Sequence, residues 1–167
     1  MKSLSIISLF ILFTTTTFCQ SPDLSDMDVI IFELYDVISG EKSEARDWDH
    51  FRNLFKPDAR LIPTRDMKGA ISINYLSPED YITNAGPYLE TNGFFEKEIY
   101  RVTERFGNIA HVFSTYETYS TASDTKPFAR GINSIQLLFD NSRWWIVNIY
   151  WQAESDTLKL PAEYLPN

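Results

Sequence analysis

The sequence predicts an α+β domain in which helices gather on one face of a curved, mostly antiparallel sheet. Three observations predict it. The first half of the chain carries amphipathic and capped helical stretches, beginning with a long apolar face at Met27, Ile30, Ile31, Leu34, Val37 and Ile38. The second half carries long β-rich runs joined by two-residue turn signals, Gly107-Asn108 and Asn141-Ser142. The order is thus helix, short helix, strand, a third helix and then a run of long antiparallel strands, the order of an α+β domain.

Residues 1–19 have the three-part pattern of a secretory signal: Lys2, an apolar run from Leu4 to Phe13, and a polar exit through Thr14–Thr17 to Cys19. The run is shorter than the ~20 residues a helix needs to cross a bilayer. The expected organisation is a signal at 1–19, one domain at 20–154 and a C-terminal tail at 155–167. The protein is then exported, periplasmic or extracellular, with no stable membrane insertion after cleavage. Cleavage before Gln20 and lipidation of Cys19 both fit the residues, although bulky Phe18 suits a lipid attachment site poorly.

Cys19 is the only cysteine, so the mature chain has no disulfide and depends on packing. Without Lys2 it holds 14 basic and 23 acidic residues, a net charge of −9. A surface of that sign repels nucleic acid and anionic lipid.

Along the chain, Ser25 with Asp28 forms a capping-box pattern for the first helix, and Gly40 stands where a left-handed C-terminal residue is wanted. Asp47 caps a second, short helix over Trp48–Phe55, stopped by Lys56-Pro57. Ala59–Ile62 and Ile71–Tyr75 read as short strands around a polar turn. Ser77-Pro78-Glu79-Asp80 starts a third helix, which Gly86-Pro87 breaks or bends near Tyr88. Phe94–Phe106 and Ile109–Ser120 form a hairpin whose register opposes Glu104 to His111, Val102 to Phe113, Tyr100 to Thr115 and Glu98 to Glu117. Arg130–Asp140 and Arg143–Gln152 form the last hairpin. Its register places Asn133, Ile135, Leu137 and Phe139 with Trp144, Ile146, Asn148 and Tyr150 on one face. Neither face is polar enough for water, which implies a covered sheet, self-association or a ligand cavity.

The segments Trp48-Asp-x-Phe-x-x-Leu-Phe-x-Pro-Asp-Ala-Arg-Leu61 and Arg143-Trp-Trp-Ile-Val147 resemble the nuclear-transport-factor-2-like superfamily, and within it the SnoaL-like branch. The resemblance covers about Asp23 to Glu154. It implies a cone-shaped sheet with three helices from the N-terminal half on its concave face, a pocket between them, and frequent dimers. It also implies chemistry, where there is any, that moves a proton through a pocket acid or base. Fold alone does not supply a reaction.

His111 with Glu104 as cross-strand neighbour is either a base with its orienting group or a half-exposed pair. Glu117 opposite Glu98 is either a carboxylate with a raised pKa or a solvated pair at a bulge. His111 and Glu117 are the catalytic candidates. Ligand-binding candidates are Tyr88 after the Gly-Pro break, Arg130 at a strand start, and Asn133, Asn148 and Tyr150 among apolar neighbours. Arg130 has the competing role of pairing with an acidic side chain. His50 reads as a solvated helix residue. No metal-ligand spacing, nucleophile elbow or phosphate loop occurs, so neither metal nor cofactor is expected. The expected function is binding of a small, mostly apolar molecule by a homodimer. The alternatives are an acid–base isomerase or dehydratase and a purely structural dimeric module.

Overall fold

The computed structural model describes residues 21–67 and 69–166. The expected signal at 1–19, with its cleavage point, lies outside these residues. Three helices, α1 (Met27–Ile38), α2 (Trp48–Leu54) and α3 (Pro78–Asn92), pack on one face of a six-stranded curved sheet. The strands are β1 (Phe55–Met67), β2 (Ala70–Ile73), β3 (Phe95–Phe106), β4 (Ile109–Tyr119), β5 (Ala129–Asp140) and β6 (Arg143–Ala153). Their order is β2-β1-β6-β5-β4-β3, unclosed, and every pairing is antiparallel except β1 with β6. This is the α+β cone-like architecture the sequence predicts, with one parallel pair added.

The helix ends differ in detail. Asp26, not Ser25, caps α1, accepting from the Asp28 amide at 2.8 Å. Gly40 is not a left-handed terminator; it pairs with Phe94 as an isolated bridge. A Cβ there would stand 2.5 Å from Arg46 Nη1, so glycine is needed for close approach. Buried Arg46 donates to the carbonyls of Ile38, Gly40, Glu44 and Leu89 at 3.0, 2.8, 2.6 and 3.2 Å. It thereby satisfies orphan carbonyls at the C-terminal ends of α1 and α3. The third helix runs through Pro87 to Gly93, whose φ is 73°. Buried Leu89 beyond the proline, and Tyr81 stacked on Phe51 before it, hold both halves in line and outweigh the lost backbone bond. Strand β1 is longer than expected because the polar stretch Thr64–Met67 extends it to pair with β2.

Both hairpin turns form as predicted. Asn141 and Ser142 have φ of 52° and 63°, the left-handed pair that a tight two-residue hairpin turn requires. Near each turn the predicted register holds: Glu104 opposes His111, Tyr100 opposes Thr115, and Phe139 opposes Trp144. Farther out, two bulges reset it. One lies between Glu98 and Tyr100, leaving Ile99 without a partner. The other moves the partner of Gln136 to Asn148 while Leu137 keeps Ile146, leaving Val147 over. Because side chains alternate with period two, each extra residue inverts the facing of everything beyond it.

The core lies between helices and inner face, where Trp144, Ile135, Leu137, Ile146, Val112, Ile30 and Ile31 are fully buried. The C-terminal segment crosses the outer face, with Tyr164 packed against Phe113 at 4.9 Å and its carbonyl accepting from Thr115 Oγ1 at 2.7 Å. Part of the face expected to need a second copy is thus covered by the chain itself. Among the described residues, no helix is long and apolar enough to cross a membrane.

Candidate functional site

The β3 bulge turns Glu98 and Glu96 inward, opposite Tyr116 and Thr118. The β6 bulge turns Ile149 and Trp151 inward in the same way. Glu96, Ile149 and Trp151 thereby line a half-open pocket of about 130 Å³ beneath the helices, together with Leu34, Phe51, Tyr81 and Phe94, with Asn133 at its polar side. Glu96 also borders a larger cleft of about 480 Å³ between α1 and β3.

A directed hydrogen-bond chain serves this carboxylate. Asn133 Nδ2 donates to Glu96 Oε1 at 3.4 Å and to the Tyr35 hydroxyl at 3.0 Å. The Tyr35 hydroxyl and Ser114 Oγ are 2.7 Å apart. Since Ser114 donates its one proton to Glu98, the Tyr35 hydroxyl, which accepts from Asn133, donates to Ser114. Glu98 is held by Arg101, whose Nε and Nη2 lie 2.7 and 2.6 Å from Oε1, and Arg101 also meets Asp28. Thr118 Oγ1 reaches Glu96 Oε2 at 3.4 Å.

The two carboxylates, two residues apart on one face, therefore have opposite surroundings. Glu98 has a guanidinium; Glu96 takes part in no ion pair among the described residues. Burial pushes the Glu96 carboxyl up to about 7, only partly offset by the bonds from Asn133 and Thr118. Burial first, then the Glu96 charge, raises the Tyr35, Tyr81 and Tyr116 hydroxyls, which stay protonated donors at neutral pH. The arrangement can exchange a proton with a small molecule while neighbouring hydroxyls donate to its oxygen.

Of the residues singled out from sequence, Asn133 alone lines this cavity. Asn148 and Tyr150 lie on the outer face because of the β6 bulge; Asn148 donates to Gln136 Oε1 at 2.6 Å, and Tyr150 is largely exposed. Glu117 does not oppose Glu98. It pairs across from Lys97, outside, and accepts from the Tyr119 hydroxyl at 2.6 Å. His111 is also on the outer face, 3.9 Å from Glu104 and 3.0 Å from Ser134 Oγ. Arg130 forms a two-pronged ion pair with Glu154, at 3.0 and 3.2 Å. Tyr88 is exposed on α3, outside the cavity lining. His50 is not simply solvated, since its Nε2 sits 2.7 Å from Glu33 on α1.

Glu96, Tyr35, Tyr81 and Trp151 were not singled out from sequence. The one signal was the awkward opposition of Glu98 and Glu117, which the bulge relieves. Among the described residues no cluster of three metal-binding side chains occurs.

No family model matches the chain, and no curated protein matches it. Solved structures do match in fold. A nuclear-transport-factor-2-like protein of unknown function from Pseudomonas putida KT2440 aligns with a TM-score of 0.60 at 11% identity, covering 86% of this chain and 96% of that one. Another such protein, from Silicibacter pomeroyi DSS-3, gives 0.53 at 15% identity, covering 77% and 92%. A protein provisionally described as a ketosteroid isomerase, from Shewanella frigidimarina NCIMB 400, gives 0.50 at 12%, covering 74% and 91%. The chain thus has the nuclear-transport-factor-2-like fold, and at these identities the likeness speaks for fold alone.

Proposed function

We propose that this chain uses its nuclear-transport-factor-2-like fold, in the manner of the SnoaL-like branch, to bind a small, mostly apolar molecule in the inner cavity. The observation that carries the reading is an apolar space holding one carboxyl outside any ion pair among the described residues, Glu96, with the Tyr81 hydroxyl in the same lining and Asn133 at its polar side. Ligand sites have this character: apolar walls with a few placed polar groups. The volume of about 130 Å³ limits the enclosed part of the ligand to roughly one six-membered ring. Trp151 and Tyr81 line the space, so tryptophan fluorescence reports occupancy. Titration with small cyclic ketones and alcohols is expected to quench it. No response at millimolar concentration, together with no co-purified molecule in native mass spectrometry, would overturn the reading.

A second reading, acid–base isomerisation or dehydration of that ligand, is favoured by the Glu96 carboxyl standing at about 7. A base is most useful when it titrates near the working pH. Conversion of a β,γ-unsaturated cyclic ketone to its conjugated isomer, followed by ultraviolet absorbance, tests it. Glu96→Gln should lower the rate by ~10²–10⁴, the usual contribution of a placed acid or base. Wild-type rates in that variant would exclude proton transfer by Glu96.

Export and self-association complete the proposal. The Lys2 and Leu4–Phe13 pattern supports a signal at 1–19, and N-terminal sequencing that found Met1 would refute it. A homodimer is supported by Val102, Phe106 and Ile109, which stay exposed at the β3–β4 end, and a monomer mass in light scattering would refute it.

A further inference from the structure

On the opposite side of the sheet from Glu96, three side chains of adjacent strands stand in line. Ser134 of β5 points outward between Phe113 and Tyr150. Its Oγ lies 3.0 Å from His111 Nε2, and His111 Nδ1 faces Glu104 Oε2 at 3.9 Å. Gln136 Nε2 donates to Ser134 Oγ at 3.2 Å, and Gln136 Oε1 accepts from Asn148 at 2.6 Å. In the imidazole tautomer that carries its proton on Nδ1, on the side of Glu104, Nε2 is an acceptor and the Ser134 hydroxyl donates to it. A nucleophile within hydrogen-bond reach of a base, itself oriented by a third group, is the signature of an activated hydroxyl.

Ser134 also has space before it. The C-terminal tail arches over the outer face and leaves a groove of about 240 Å³, walled by Phe113, Ile132, Tyr150, Leu158, Leu160 and Pro161, with Ser134 in its lining. The groove is apolar and smaller than the ~300–1,000 Å³ typical of drug-sized ligands.

We propose that Ser134 is a His111-activated nucleophile that takes the acyl group of small, apolar carboxylic esters bound between sheet and tail. Ser134 Oγ forms the new bond to the carbonyl carbon as its proton passes to His111 Nε2. The ester C–O bond breaks, and the leaving alcohol takes that proton. Water, delivered with His111 as base, then hydrolyses the acyl-serine and restores the hydroxyl. Glu104 is exposed, so it positions the imidazole and contributes modestly. Strand amides around Ser134 are occupied in sheet pairing, so Gln136 Nε2 is the donor at hand for the oxyanion. With one donor, the tetrahedral intermediates of both half-reactions are weakly stabilised, so turnover is slow and the site is read more readily as a stoichiometric adduct with an irreversible probe. Nothing in this depends on the inner cavity or on Glu96.

The test is labelling of the folded chain with a small alkyl fluorophosphonate, read by intact mass and peptide mapping. Attack forms the Oγ–P bond and expels fluoride. One adduct per chain, on Ser134, is expected, with none in Ser134→Ala or in urea-unfolded wild type. His111→Asn should slow labelling by ~10²-fold or more. Glu104→Gln should lower the limiting rate a few-fold without changing the half-saturating probe concentration. Far-UV circular dichroism checks that the variants fold, and Ser123→Ala, in an exposed loop, controls for surface serines. No adduct, an adduct on another residue, or an unchanged rate in folded His111→Asn would overturn the proposal.

Discussion

Replacing Glu96 with Gln removes a charge without changing shape, and its effect on stability should depend on pH in a defined direction. The carboxyl is pushed from 4.5 up to about 7 in the folded protein, chiefly by burial. The folded state therefore holds this proton more tightly than the unfolded chain. The resulting stabilisation is fully present below pH 4.5 and is lost as pH rises through 7. A shift of this size, at about 1.4 kcal/mol per pH unit, sets an upper bound of about 3 kcal/mol. Glu96 is half-buried, not sealed from water, so about 2 kcal/mol is the expected size after screening. Gln keeps an oxygen for Asn133 and an amide for Thr118 and does not ionise. The variant should match wild type at pH 4.5 and exceed it by ~2 kcal/mol at pH 8.5. Urea unfolding across that range measures the difference, and other titrating groups cancel because the two chains differ at one residue. A difference that stays flat with pH would refute the desolvated carboxyl and both readings of the inner site built on it.

Other expectations follow from packing. Trp144, 2% exposed, should cost ~3–5 kcal/mol as Trp144→Ala, and a loss below ~1 kcal/mol by urea unfolding would contradict its burial. Arg46→Ala should cost ~3 kcal/mol or more, because four carbonyls lose a charged donor; proteolysis near α1 and α3 should then quicken, and unchanged resistance would refute the role. Deleting Val147 removes the extra residue, so Asn148 follows Ile146 directly on a regular ladder while Ile149 and Trp151 keep facing the core; a cooperative transition by calorimetry is expected, and its loss would mean that the bulge itself is required.

Much of the architecture was legible in the residues because it rests on local rules. The stripe Ile30, Ile31, Leu34 can be buried only by a helix on a large surface, and Asp47 and Ser77 cap where their short oxygens suit the first amides. Asn141-Ser142 and Gly107 take the left-handed backbone their turns need, so the register beside each turn follows directly. The site was not legible, for an equally physical reason. Facing alternates with period two, so a single unpaired residue, Ile99 or Val147, inverts every assignment beyond it without leaving a mark in composition. Each bulge is set by long-range packing: Ile149 and Trp151 fit under Phe51 and Tyr81 only in the shifted register. Sequence alone determined the layers, the turns and the core, and placed Asn133 on the same hairpin face as Trp144. Tertiary packing decided which carboxylate is buried, Glu96 instead of Glu117, and on which side of the sheet His111 stands.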